Sequence, residues 1–334
     1  MIPAITSDTT PAWQRELAAS ITDPELLFRQ LRLDPATLPA AWAAHRAFGL
    51  RVTPSYLSRI RPGDPHDPLL LQVLPTGIEL APQPPDFGLD PVGDGPASAA
   101  PGVLHKYHGR ALLIATGACA VHCRYCFRRH FPYAAANAGR DGWHRALDYL
   151  RRDETINEVI LSGGDPLVLS DEKLASLALE LGRIPQLKRL RIHSRVPVVL
   201  PSRVDAPMLD WIGRARPRVV LVLHINHANE LADDVVHALA RLRQHGVLLL
   251  NQSVLLRGVN DSALTLASLS EALFDAGVQP YYLHLLDRVS GAAHFDLLPG
   301  EAENLFRDLR TRLPGFLVPR LVREVAGEPY KSLV

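Results

Sequence analysis

The chain has 334 residues, 47% of them hydrophobic and 21% charged, with a formal net charge of +1. That is the balance of a globular enzyme with a substantial core, and it excludes a global field that would draw the protein to nucleic acid or to a membrane surface. There is no run of about 18 uncharged apolar residues to cross a bilayer, and lysine occurs only at Lys106, Lys173, Lys188 and Lys331, so chemistry that needs a primary amine has few candidates.

The opening segment, MIPAITSDTTPAWQRELAAS, has neither a basic n-region nor an apolar h-region, and Asp8, Trp13 and Glu16 interrupt it, so no secretory signal is expected. From Asp23 to Phe48 the pattern is helical. DPELLFRQLRL has an acidic start and apolar residues at Leu26, Leu27 and Leu31. Residues 81–102 are rich in Pro, Gly and Asp and read as a loop or linker. The expected organisation is a helical N-terminal extension over 1–80, that linker, and a main domain over 103–334.

Six apolar runs follow: RALLIAT, NEVILSG, LKRLRIHSR, RVVLVLHIN, GVLLLNQSVLL and GVQPYYLHLL. They are mostly continuous rather than alternating, as strands buried on both faces of a parallel sheet are. Helical segments such as DEKLASLALELGRI separate them, at the spacing of βα units. The expected class is α/β, a doubly wound sheet or a barrel-like arrangement. Either form gathers ligands at the C-terminal ends of the strands. Polar residues cluster there: Ser162 to Asp165, His193 to Arg195, His224 to His227, Gln252 and Ser253, and His284 to Asp287.

Every cysteine lies within GACAVHCRYCFRRHFPY, as Cys119, Cys123 and Cys126. An odd number makes a poor disulfide framework, and a reducing, cytoplasmic setting is expected. Closely spaced thiolates suit soft metal ions or iron–sulfur clusters. Zinc would need a fourth ligand, for which His122 and His130 are the local candidates. Three buried, unliganded cysteines are a further reading, although the stretch carries Arg124, Arg128 and Arg129 and does not resemble a core.

Placed after the first strand of an α/β domain, the C-x3-C-x2-C spacing resembles that of the radical S-adenosylmethionine (SAM) superfamily. The resemblance implies a partial (β/α)6 barrel in which the three cysteines hold a [4Fe–4S] cluster and SAM chelates the open iron. Tyr125 matches the aromatic position near the adenine. Ser162, Gly163, Gly164 and Asp165 match the glycine-rich segment for the methionine amino group.

Longer stretches, among them HKYHGRALLIATGACAVHCRYCFRRHFPY, RLRIHSRVPVVLPSR, HINHANE, NQSVLLRGVND and PYYLHLLD, resemble the lysine 2,3-aminomutase family from Leu104 to Lys331. TDPELLFRQLRL and REVAGEPYKSLV look closest to the bacterial subfamily that makes (R)-β-lysine for modification of elongation factor P. The resemblance implies a 2,3-amino shift on L-lysine, pyridoxal 5′-phosphate (PLP) as a second cofactor, an electron donor for the cluster, and an elongation factor P ligase as recipient of the product.

Residue by residue, Lys331 matches the Schiff-base lysine, Lys106 and Tyr107 the positions that hold the PLP phosphate and ring, and Arg195 and Gln252 further cofactor contacts. Arg128 matches the clamp for the substrate carboxylate, and Asp287 and Glu324 the acids for its distal ammonium. His224 and His227 are expected to line the site. Two positions depart from the family pattern: typical members carry Arg at 106, and typical lysine aminomutases carry Asp at 324. An aminomutase for another amino acid and a non-catalytic metal-binding module stay open as alternatives.

Overall fold

The computed structural model describes residues 10–136 and 143–334, so residues 1–9 of the opening segment lie outside it. Helices at Ala12–Ala18, Pro24–Leu31 and Leu38–Ala47 form the N-terminal part. The second starts where its sequence says it should: the Asp23 carboxylate accepts from Glu25 N at 2.8 Å, and Pro24 supplies a preset φ at the first position. Its buried face, Leu27, Phe28 and Leu31, joins an apolar cluster that continues through Leu113, Leu161, Ile192 and Leu221. The helices and the sheet thus share one core.

Ten strands form a single sheet in sequence order. The six apolar runs become β3 (Arg110–Thr116), β4 (Glu158–Gly163), β5 (Arg189–Ser194), β6 (Arg218–His224), β7 (Leu248–Val254) and β8 (Gln279–His284), all parallel neighbours. A helix follows each: His144–Arg152, Asp171–Gly182, Ala206–Arg214, Asp233–Gln244, Ala263–Asp275 and Pro299–Arg312. This is the partial (β/α)6 barrel that the resemblance implied. Local chemistry starts the helices: Asp205 accepts from Met208 N at 3.1 Å and Ser262 from Thr265 N at 3.1 Å. Acidic Asp233 and Asp234 open the Asp233–Gln244 helix, and Arg241 and Arg243 close it, as the helix dipole favours.

The six runs are not the whole sheet. β1 (Ser98–Ala100) and β2 (Val103–Tyr107) add an antiparallel edge beside β3. At the other edge β9 (Arg320–Arg323) pairs parallel to β8, and β10 (Ser332–Leu333) pairs antiparallel to β9. The two edges are joined by side chains: Lys106 of β2 forms an ion pair at 3.0 Å with Glu324, the residue after β9. Residues 81–102 pass close to this seam. Gly88 N donates to Arg288 O at 2.9 Å, and Val92 and Asp94 are buried.

The loop after β3 carries the cysteines, and buried arginines anchor it. Arg124 grips Glu79 side-on, with Nε to Oε1 at 2.9 Å and Nη2 to Oε2 at 2.6 Å, while its Nη1 donates to Phe48 O at 2.8 Å. Arg129 adds Nη2 to Glu79 Oε2 at 2.8 Å. A carboxylate that serves two enclosed guanidinium groups cannot be removed cheaply, because each would be left without its counter-charge. Glu79→Gln should destabilise the iron-free protein by about 3–5 kcal/mol and reduce iron incorporation, measured by denaturant unfolding and iron analysis. Wild-type values of both would show that Glu79 does not anchor the loop.

Candidate active site

Two groups of side chains stand at the C-terminal ends of the strands and along the seam. The first surrounds the cysteines, all three of which are free and partly buried. Burial, with the charge of neighbouring thiolates, raises the Cys119 thiol well above its usual range and pushes Cys126 up to about 11. Clustered thiolates need a compensating cation. The histidines near them are committed elsewhere. His122 has Nδ1 2.9 Å from Gly49 O and stacks on Phe48, and His130 has Nε2 3.1 Å from Ser290 O. The three thiols are the set that a cluster with one open iron takes.

Arg195, at the end of β5, points Nη1 at Cys123 Sγ, 2.9 Å away. Its Nη2 donates to Gln72 Oε1 at 2.6 Å, Glu230 Oε2 at 2.9 Å and Tyr56 Oη at 3.2 Å. Tyr125 lies beneath this guanidinium, and its hydroxyl accepts from Asn226 Nδ2 at 2.7 Å. Glu230 Oε1 in turn accepts from Asn226 N at 2.9 Å. Sequence reasoning did not single out Gln72, Asn226, Glu230 or Tyr56. HANE was visible as a family stretch, but nothing local shows that its glutamate faces an arginine 35 positions earlier.

The glycines of the SGGDP stretch serve the cysteine loop. Gly163 has φ +117°, and a Cβ there would lie 2.6 Å from Thr116 O; at Gly164 a Cβ would lie 2.2 Å from Ala118 O. Gly164 N donates to Thr116 O at 2.7 Å, and Asp165 N to Ala118 O at 2.8 Å. The absence of side chains lets β4 and the loop meet backbone to backbone. The Asp165 carboxylate is taken up inside the protein: it accepts from Ser194 Oγ at 2.7 Å, Arg195 N at 2.7 Å, Leu167 N at 3.1 Å and Val196 N at 3.1 Å. It fixes the turn that carries Arg195.

The second group is a row of alternating charge. Arg128 donates Nε to Asp94 Oδ2 at 2.7 Å and Nη1 to Ser162 Oγ at 3.0 Å. Asp94 Oδ1 pairs with Lys106 Nζ at 2.6 Å, Lys106 with Glu324 Oε1 at 3.0 Å, and Glu324 Oε2 with Lys331 Nζ. Lys106 Nζ also donates to Val92 O at 2.8 Å, while Asp94 Oδ1 meets it as an ion pair outside hydrogen-bond geometry. Burial opposes the charge on Glu324, but Lys331 and Lys106 hold its carboxyl down to about 2. Asp287 lies near the same groups and receives no cation of its own; burial and the Glu324 charge push it up to about 7. Burial and Glu324 also raise the Tyr107 hydroxyl.

Neutral imidazoles adjoin the row. Burial pushes His224 and His284 down to about 3 and His193 well below its usual value. The His193 and His224 rings meet edge-on at 5.9 Å, and Gln252 Nε2 lies 2.9 Å from His224 Nε2. His227 is placed apart from them, where its Nδ1 accepts from Asn229 N at 3.1 Å. The Nε2 atoms of His193 and His284 are buried without a hydrogen-bond partner. A primary amine, a nearby cation and orphaned imidazole nitrogens suit a polar aldehyde cofactor with an anionic group, and PLP is such a molecule.

The sequence model of the Radical SAM superfamily matches residues 113–268. The chain is 50% identical to the L-lysine 2,3-aminomutase of Escherichia coli (strain K12) over 96% of its own length and 93% of that protein's. It is 46% identical to the enzyme of the same name from Haemophilus influenzae, over 96% and 95%. It is 37% identical to that of Clostridium subterminale, over 86% and 69%. No helix among the described residues is long and apolar enough to cross a membrane. By this likeness along its length the chain belongs to the L-lysine 2,3-aminomutase family, radical SAM isomerases that work with a [4Fe–4S] cluster, SAM and PLP.

Proposed function

We propose that this protein converts L-α-lysine to (R)-β-lysine by a 2,3-amino shift, in the cytoplasm, and that an elongation factor P ligase receives the product. The observation that carries the substrate is the pairing of Glu324 with Lys331 and Lys106, with Asp287 beside them. Two carboxyl groups next to a reactive amine suit a substrate with a second, distal ammonium. A glutamate substrate would meet repulsion there. Arg128, enclosed and partly free on its Nη edge, suits the substrate carboxylate. The elongation factor P link is supported by subfamily resemblance at both ends of the chain.

Each residue then has a task. Cys119, Cys123 and Cys126 would hold the cluster, and Arg195 Nη1 donates to Cys123 Sγ. Tyr125 and the Ser162–Asp165 backbone flank the SAM site. Lys331 Nζ would hold PLP covalently, Lys106 would face its phosphate, and Tyr107, Gln252 and the imidazoles of His193, His224 and His284 would border its ring. The cluster with SAM supplies hydrogen-atom abstraction once an electron donor has reduced it, and PLP supplies the conjugated system through which nitrogen migrates. Arg128 and the Asp287–Glu324 pair hold the substrate by its two ends, so that only its β C–H bond is presented. The burial that keeps His193, His224 and His284 neutral also excludes water from a radical that would otherwise react with it.

Iron-loaded protein given PLP, SAM, dithionite and L-lysine under anaerobic conditions should form (R)-β-lysine without proportional loss of SAM. Chiral chromatography with mass spectrometry reads the product, and 5′-deoxyadenosine without β-lysine would refute the substrate. Lys331→Ala should keep wild-type iron content and lose the PLP absorbance near 420 nm. Retention of that band would move the Schiff base to another lysine. The Asp287 carboxyl titrates near 7, and only its ionised form attracts the substrate ammonium. kcat/KM for lysine should therefore fall about tenfold per pH unit below that point and level off above it. Asp287→Asn should lower kcat/KM at high pH and abolish the acid limb; an unchanged limb would assign it to another group.

A further inference from the structure

Asp94 belongs to none of the sequence motifs, yet the row of charges turns on it. Its side chain is 2% exposed and has two cationic neighbours, Arg128 Nε at 2.7 Å and Lys106 Nζ at 2.6 Å. Its loop is built to hold it. The Asp90 carboxylate accepts from Asp94 N at 2.8 Å and from Gly95 N at 2.9 Å. Gly93 has φ +68°, and a Cβ there would lie 3.1 Å from Ala326 Cβ, so the loop abuts the segment between Glu324 and Lys331.

The donor inventory shows what this does. A guanidinium has five N–H groups. Asp94 takes the one on Nε and Ser162 takes one on Nη1, so the side-on fork of Nε with an Nη is closed to any ligand. What remains for a two-pronged contact is the end-on fork, one proton from Nη1 and one from Nη2. Lys106 has three donors. Two go to Val92 O and Glu324 Oε1, while its contact with Asp94 Oδ1 is an ion pair outside hydrogen-bond geometry, so one proton is left to face a phosphate. Val92 and Asp94 lie in one braced loop, whereas Glu324 has Lys331 as a second cation. Asp94 is therefore the counter-charge that fixes Lys106 to the loop.

We propose that Asp94 is a positioning residue for both halves of the site: it leaves Arg128 only its end-on fork for the substrate carboxylate, and its ion pair retains Lys106 where that lysine would face the PLP phosphate. The inference rests on the reading of Arg128 and Lys106 given above.

The test is Asp94→Asn in the iron-loaded full chain. PLP affinity is read by absorbance titration without turnover, and KM and kcat for L-lysine are read separately, with iron content and melting temperature as controls. The PLP dissociation constant and KM should each rise about tenfold, the loss of one charged hydrogen bond, while kcat at saturation falls less than about threefold. Asp94→Glu should recover most of the PLP affinity. A merely structural role would lower kcat, iron content and melting temperature together and leave KM and PLP affinity in place; that result overturns the proposal. If the wild type does not turn over lysine, the proposed function falls, and the PLP titration still decides whether Asp94 retains Lys106. Should Asp94→Asn fail to fold, Asp94→Ser enters the same titration, and wild-type affinity there overturns the proposal equally.

Discussion

Arg128, Asp94, Lys106, Glu324 and Lys331 alternate in charge along one largely buried row, and the seam between the sheet edges depends on that alternation. A lone ion moved out of water costs several kcal/mol or more even after relaxation. Burial works against the charge on Asp94 and Glu324, yet their cationic neighbours keep both carboxyl groups below the usual range. The row also spans the seam of the open barrel. Where backbone hydrogen bonds would close a full barrel, Lys106 and Glu324 join the edges by charge. Such a joint can be remade when a ligand brings charges of its own, which a strand ladder cannot.

The cysteine loop is built on the same economy with the signs arranged differently. Arg124 and Arg129 share Glu79, and Arg195 shares Glu230 with a network of neutral amides and hydroxyls. The loop is thus pinned from behind by satisfied ion pairs. From the front, Arg195 Nη1 offers a proton to Cys123. Positive charge near thiols favours the thiolates that bind iron. The close contact between Ala118 and Gly164 fixes the loop against β4, so thiol position is coupled to the glycine-rich turn. A side chain at Gly164 would therefore displace the cysteine loop.

What the sequence reveals follows the range over which its signals act. Apolar runs expose β3 to β8, even where polar residues alternate on one face, as in β5 and β7. The cysteine motif is legible because its spacing is local. β1, β2, β9 and β10 escape notice because they are short edge strands of mixed polarity. Asp94 is hidden inside a stretch whose Pro and Gly content reads as linker, and its partner Arg128 stands 34 positions away. Lys106 and Glu324 are separated by 218 positions. Likewise the residue types of SGGDP are plain, but not that its glycines approach protein backbone and its aspartate holds a turn.

Lys106 and Glu324 are the two positions at which this chain departs from the pattern it otherwise resembles, with Lys for Arg and Glu for Asp. They are partners in a single ion pair. Arginine carries a wide planar fork on its stem, whereas lysine ends in one compact charge. With that compact ammonium drawn toward Val92 O and Asp94, a carboxylate must come to it. The extra methylene of Glu324 supplies the reach, and its second oxygen still meets Lys331. The two departures that the resemblance marks thus fall on the two partners of one ion pair, with a longer acid opposite a base that has no fork.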